Sequence, residues 1–150
     1  MFVFVITFLG ASRWPPQIVI RYPAQMISWG IHIDGRELPG FDPWRDVCGF
    51  SDFDEQEYLL PYFDVGDAPI DPYDGTQFST ADTRRLRDRL SSLRGYIEAK
   101  PKEWSVTETS ASEAKIIHLR QESVLATIDK TLWMCEQAIA KGGGLAFGGD

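Results

Sequence analysis

Carboxylates and aromatic rings are concentrated in one stretch of this chain. Residues 34–74 contain twelve acidic residues against two basic ones, a local net charge of −10. Nine of the chain's 19 aromatic residues fall within residues 41–78. Disordered acidic tails are poor in aromatic residues, so we expect this segment to be folded. Exposed rings supply binding energy at protein interfaces, and carboxylates accelerate the encounter with a basic partner, so the pattern favours protein recognition.

The candidate partner-binding residues are of two kinds. The expected aromatic anchors are Trp44, Phe53, Tyr58 and Tyr73. The expected negative rim consists of the carboxylates Asp52, Asp54, Glu55, Glu57, Asp67, Asp71 and Asp74. An internal explanation stays open, because residues 75–100 carry six bases against three acids and could dock on these acidic loops within the same molecule.

Other chemistries fit the residue spacing less well. Asp64, Asp67, Asp71 and Asp74 could offer oxygen ligands to calcium, but their spacing departs from the EF-hand pattern, and Asp-Pro and Asp-Gly are common turn formers. The two histidines, His32 and His118, have no second ligand three or four residues away, and no motif pairs either of them with a nucleophile. The triple glycine at 142–144 follows a predicted helix, whereas phosphate-binding loops precede one. We therefore expect no metal, no cofactor and no catalytic residue.

Charge and cysteine content narrow the partners and the compartment. The net charge of −7 and the pI near 4.8 disfavour nucleic acid and membrane surfaces as partners. The two cysteines, Cys48 and Cys135, are too few for a disulfide scaffold, which favours a cytoplasmic location. A single bridge between them stays open, although Cys135 lies on a predicted apolar helix face and is expected to be an inert core thiol.

The first 25 residues differ in composition from the rest of the chain. They contain no acidic residue, and all 22 acids lie in 26–150. The apolar run 2–9 is far shorter than a membrane span, although the small residues Gly10–Ser12 after it resemble a signal-peptidase site. The break in composition suggests a start codon assigned too early or an appended segment. We therefore expect residues 1–25 to be dispensable and residues 26–150 to form a single domain.

Hydrophobic periodicity predicts the elements that position these residues. Alternating apolar residues from Ile27 to Ile33 predict a strand, and residues 17–22 could pair as an edge strand. Residues 36–78 show no sustained helical period, so they are expected to form loops around one or two short strands. Two amphipathic helices are predicted at about 79–100 and 121–140, the first opened by a capping pattern at Ser79.

The region between these helices is ambiguous. Alternation at 104–107 and 117–120 favours two strands joined by a polar run, and the rival interpretation is a long helix that starts at Ser110. Residues 145–147 could add a last short strand. These elements predict an α+β fold of two layers, with a mainly antiparallel sheet of about four or five strands packed against the two helices.

The sequence therefore favours a non-catalytic, acidic protein-binding domain. Its most concrete form is an inhibitor or immunity-type protein that occludes the cleft of a basic partner such as a nuclease or toxin. One alternative is a small enzyme or ligand-binding domain with a carboxylate-rich pocket. Another is a structural subunit of an assembly, and the sequence leaves self-association open as well.

Overall fold

A five-stranded antiparallel sheet forms the centre of the protein. The structure is a computed structural model that describes residues 3–7, 17–21, 25–110 and 113–149. The sheet consists of β3 (Ile27–Ile33), β4 (Arg36–Glu37), β5 (Val47–Gly49), β6 (Thr76–Gln77) and β9 (Gly144–Gly149). Its strand order is β4–β3–β9–β6, and β5 also pairs with β3. The predicted α+β fold and the predicted strand number are confirmed.

The helices cover one face of this sheet. They are α1 (Pro43–Asp46), α2 (Phe53–Phe63), α3 (Thr80–Glu98) and α4 (Gln121–Ala140). Ile27, Trp29 and Ile31 of β3 are buried in one core with apolar residues of α2, α3 and α4. The predicted helices are confirmed, and Ser79 caps α3 by accepting a hydrogen bond from the Asp82 amide at 3.1 Å. No helix in the described part of the chain is long and apolar enough to cross a bilayer.

Two separate ribbons accompany the main sheet. β7 (Glu103–Ser110) pairs with β8 (Glu113–Arg120), so the two predicted strands are confirmed and the rival helix from Ser110 is wrong. β2 (Gln17–Arg21) is the strand expected near residues 17–22, and it pairs with β1 (Val3–Thr7), which periodicity did not predict. The small residues Gly10–Ser12 lie outside the described residues.

The expectation that residues 36–78 form loops around one or two short strands is wrong for the middle of this segment. Helix α2 occupies eleven residues there and continues through Pro61, near its end. Its N-cap residue is Asp52, whose carboxylate accepts a hydrogen bond from the Glu55 amide at 2.8 Å. Its buried positions include Leu59 and Phe63, which are one turn apart and contact the core. The helical period covers only one short segment, and Pro61 hides it in the sequence.

Aromatic rings fill the space between the sheet and the helices. Trp29 of β3 lies 4.7 Å from Phe50 and 4.9 Å from Phe63, measured between ring centroids. Phe147 of β9 packs 4.8 Å from Phe78. Part of the aromatic content of 41–78 is therefore core, and only the remaining rings can serve a surface.

The glycines after α4 bring the last strand into the centre of the sheet. Gly142 has φ +70°, and the amides of Gly142 and Gly143 donate to carbonyls of the last helical turn. A Cβ atom on Gly143 would collide with the carbonyl of His32, and one on Gly144 would collide with the carbonyl of Phe78. Only glycine permits this close approach of backbones, which places β9 between β3 and β6.

Candidate functional site

The structure separates the predicted binding residues into three groups. Trp44 belongs to α1, next to β5 at one edge of the main sheet, whereas Asp67, Asp71, Tyr73 and Asp74 precede β6 at the opposite edge. The third group lies on and just before α2, which packs against β8. The segment 41–74 is therefore not one continuous surface.

The segment from Asp64 to Gly75, called here the acidic loop, is held by hydrogen bonds to its own side chains. The Asp64 carboxylate accepts from the Ile70 amide at 3.1 Å. The Asp71 carboxylate accepts from the amides of Tyr73 and Asp74, while the Asp71 amide donates to the Thr76 hydroxyl at 2.8 Å. Since Ile70 is also buried, the loop is anchored at its middle and at its end.

The exposed side chains of the acidic loop include Tyr73 and two carboxylates that accept no hydrogen bond from the loop itself, Asp67 and Asp74. Tyr73 is 57% exposed, and Asp74 is also exposed. The Asp67 side chain is 99% exposed, and its one ion pair, with Arg85 of α3, is at the 4.0 Å limit. The loop therefore presents an aromatic ring and two carboxylates whose charge is little used within the molecule.

The group on α2 has mostly structural roles. Asp52 caps the helix, and the Asp54 carboxylate accepts from the His118 amide of β8 at 3.1 Å. Glu57 forms an ion pair with Lys115 of β8, and this contact raises the pKa of the lysine. The Asp54 and Glu57 carboxylates thus connect α2 to the β7–β8 ribbon.

The two aromatic residues of this group differ in exposure. Tyr58 is half-buried against Tyr62 and Trp104, and burial raises its pKa to about 12. Phe53 remains 49% exposed. Of the two predicted anchors on α2, Phe53 therefore offers the larger exposed surface to a partner, about half of the residue.

The assignment of Glu55 to an exposed rim is wrong. Glu55 is 2% exposed. Its carboxylate accepts from the Thr127 hydroxyl of α4 at 2.7 Å, from the Ser51 amide at 2.6 Å and from the Ser51 hydroxyl. Glu55 therefore joins α2 to α4 inside the molecule. The sequence did not reveal this, because α2, the helix that carries Glu55, lies in a segment expected to form loops, although α4 with Thr127 was predicted.

Among the residues whose exposure the structure describes, Trp44 is the most exposed large hydrophobic residue, at 91%. The Asp42 carboxylate accepts from its amide at 2.9 Å, and Lys130 of α4 donates to its carbonyl at 3.3 Å. The neighbouring Asp46 is buried and accepts from Arg45 and from the Asp42 amide. These bonds lower the pKa of Asp46 to about 2, with the Arg45 contact the larger cause. The backbone that carries Trp44 is thus fixed while its ring is free.

A groove of about 390 Å³ lies between α2 and the β7–β8 ribbon. It is lined by Asp52, Asp54, Trp104, Ser105 and His118, among others. The Ser105 hydroxyl lies 3.0 Å from Nδ1 of His118. In a Ser-His-Asp triad the carboxylate orients the imidazole, but Asp54 binds the backbone amide of His118 instead. The pair therefore lacks the arrangement that activates a serine.

The arginines of α3 are mostly engaged within the helical layer. Arg94 binds Asp129 of α4 at 2.6 Å and also contacts Glu98, and these contacts raise its pKa. Arg87 contacts Asp88 and Glu136 of α4. The internal explanation for the charge asymmetry holds only at Arg85, so most of the acidic segment is not neutralised by α3.

The described residues give little support for a metal site or for a reactive thiol. Within them, no three histidine, cysteine, aspartate or glutamate residues are grouped so that they could hold a metal ion. Cys48 and Cys135 are free and buried, and burial raises the pKa of both, that of Cys135 to about 12. The expected core position of Cys135 is confirmed, and its burial and raised pKa disfavour a reactive thiolate.

Sequence reasoning overlooked three exposed apolar residues, which are Tyr96, Ile116 and Trp133. Helical periodicity contained the signal for Trp133, because it lies off the stripe formed by Val124, Ile128 and Cys135. Ile116 alternates with the buried Ile117 along β8, so strand periodicity could have placed it on the outer face.

Comparison with known proteins finds no relative of this chain. No protein-family model, no curated protein and no solved structure matches it. A proposal for its function therefore rests on the fold and on the surface residues.

Proposed function

We propose that this protein is a non-catalytic binding domain for a protein with a basic surface, and that the acidic loop is its principal contact. The observation that carries the proposal is the exposure of Tyr73 beside free carboxylates on a loop anchored by its own hydrogen bonds. A preorganised loop loses little conformational entropy on binding, so the contact energy of the ring is retained. Tyrosine is also enriched among the residues that dominate interface energy.

Electrostatics supports a basic partner. Asp67 and Asp74 extend into solvent in a chain whose net charge is −7, so the field attracts a positively charged surface before contact. Docking of the loop in a positive cleft would block access to that cleft. This is the mechanism of an inhibitor or immunity-type protein, acting on a partner such as a nuclease or toxin. The two free buried thiols favour a cytoplasmic location for this binding.

The proposal is tested by measuring association and dissociation rates with a captured partner. We expect Asp67→Lys together with Asp74→Lys to slow association about threefold to tenfold at low salt while dissociation changes by less than about twofold, since rim charges act mainly on encounter. Tyr73→Ser should instead accelerate dissociation. The matched controls are Glu122→Lys together with Glu37→Lys, which reverse the same number of charges, and Tyr96→Ser on α3, all at exposed positions outside the loop. Equal effects from the loop variants and the controls would refute the proposal.

A further inference from the structure

The β7–β8 ribbon has one edge that is occupied and one that is open. Its two strands pair over eight consecutive positions without a bulge, from Glu103↔Arg120 to Ser110↔Glu113. The outer edge of β8 faces α2, because the His118 amide donates to the Asp54 carboxylate. Within the described residues, β7 pairs with β8 alone.

Hydrogen-bonded and non-hydrogen-bonded residue pairs alternate along the ribbon, and this alternation identifies the backbone groups of β7 that do not bond to β8. The His118 amide points to Asp54, so Ser105 and His118 form a pair that is not hydrogen-bonded across the ribbon. The Gln121 amide donates to the Lys102 carbonyl at 2.9 Å, just beyond the end of the ribbon. The next pair, Glu103 and Arg120, is therefore not hydrogen-bonded, which agrees with the pair Ser105 and His118 two positions along. The amides and carbonyls of Glu103, Ser105 and Thr107 therefore point outward, and those of Val106 and Glu108 point to β8.

This open edge has only part of the usual protection. Edge strands commonly carry charged residues, above all lysine, or proline or a bulge, or they are very short. Residues 103–110 contain two glutamates but neither lysine nor proline, and the register is unbroken over a strand length of roughly 27 Å. An edge of this length without a bulge is a template for a further strand.

We propose that the outer edge of β7 binds an extended, lysine- or arginine-bearing segment of a partner protein as a third antiparallel strand. Glu103 and Glu108 are the two charged residues of β7, and they lie opposite Arg120 and Lys115 of β8. Lys115 is bound to Glu57, so the charge at Glu108 favours a basic occupant. A second copy of the chain would bring like charges together, at −7 per molecule. The basic character of the segment rests on the proposed function, whereas the strand pairing itself does not.

The environment of Glu108 agrees with a cationic neighbour. Desolvation and the adjacent Glu57 carboxylate raise the pKa of Glu108, and the charge of Lys115, which is bound to Glu57, opposes this shift without cancelling it. A lysine on an added strand would place a positive charge beside this pair of carboxylates, and opposite charges on neighbouring strands stabilise their pairing.

The test uses the full chain and an eight-residue synthetic peptide in which lysine alternates with valine or threonine, with both ends blocked. We expect the peptide to slow hydrogen exchange of the Ser105 and Thr107 amides at least about tenfold, and to leave the Val106 and Glu108 amides unchanged, since these are already bonded to β8. The same peptide with alternate amides N-methylated should bind at least about tenfold more weakly.

A matched pair of variants completes the experiment. Thr107→Pro removes an outward amide without removing a bond to β8, and it should weaken peptide binding about tenfold or more. Thr107→Val keeps the amide and should bind within about twofold of the wild type.

Three results would overturn the proposal. These are equal binding of the N-methylated peptide, no binding up to about 1 mM peptide, and protection of Ser105 and Thr107 that rises with protein concentration alone, which would indicate self-association. Tyr73→Ser should bind the peptide normally, so failure of this edge and failure of the acidic loop are distinguishable.

Discussion

Replacement of Glu55 by alanine separates the carboxylates that support this fold from those that can face a partner. The substitution removes an acceptor shared by the Thr127 hydroxyl and by two groups of Ser51. Hydrogen bonds to a charged group contribute about 1.5–3 kcal/mol each. Ser51 is exposed and can bond to water instead, and the Thr127 hydroxyl has the Ser123 carbonyl at 3.2 Å as a second acceptor. The expected net loss is therefore about 2–4 kcal/mol, well below the sum of three such bonds.

Thermal and urea unfolding measure this loss directly. For a chain of this length the expected decrease in Tm is about 5–15 °C. The matched control is Asp67→Ala, at a side chain that is 99% exposed, and it should change stability by less than about 0.5 kcal/mol. A wild-type Tm for Glu55→Ala, or an equal loss for Asp67→Ala, would refute the division of the acidic segment into structural and surface carboxylates.

Three further predictions follow from the turn after α4, from Asp46 and from the first 25 residues. Gly143→Ala and Gly144→Ala should each destabilise the fold by about 3 kcal/mol or more, because a Cβ atom would collide with a backbone carbonyl. Gly95→Ala on α3 has open space around it and should stabilise the fold by about 0.5–1 kcal/mol. Urea unfolding measures all three changes. The lowered pKa of Asp46 stabilises the native state above its ordinary pKa of 3.8, and this contribution is lost as the pH falls towards 2. Asp46→Asn should therefore lower the Tm at pH 7, with a difference from wild type that shrinks over that acid range; a constant difference would contradict the assignment. Deletion of residues 1–25 should leave soluble expression unchanged and lower the Tm by about 2–4 °C at most, because it removes the Gln25 carbonyl that accepts from the Gln56 side chain at 3.0 Å. Loss of soluble protein would show that the segment is required.

Strong periodicity made much of the fold predictable. The alternation in β3 and the apolar stripes of α3 and α4 extend over several turns or pairs, so each identifies its element without tertiary information. Helix α2 escaped prediction because its apolar period is short and includes Pro61. The sequence contains its capping signal, Asp52 followed three residues later by Glu55, but both residues also fit a run of surface charge.

The candidate site was predictable in composition but not in arrangement. The sequence identified Trp44, Phe53 and Tyr73, which are all exposed. It could not show that Trp44 and Tyr73 lie at opposite edges of the sheet, because that depends on the insertion of β9 between β3 and β6. Nor could it show which acids are bound internally, since that depends on the packing of α2 against β8 and α4.

Quantitative affinity capture from the source lysate tests most directly whether the acidic loop binds a basic protein partner. The capture uses the wild type, Tyr73→Ser and the control Tyr96→Ser, each at low and at high salt. We expect one basic protein to be captured in near-stoichiometric amount by the wild type and by Tyr96→Ser, to be lost with Tyr73→Ser, and to bind more weakly at high salt. Capture that is indifferent to Tyr73, or no protein that distinguishes the variants, would refute binding through the acidic loop.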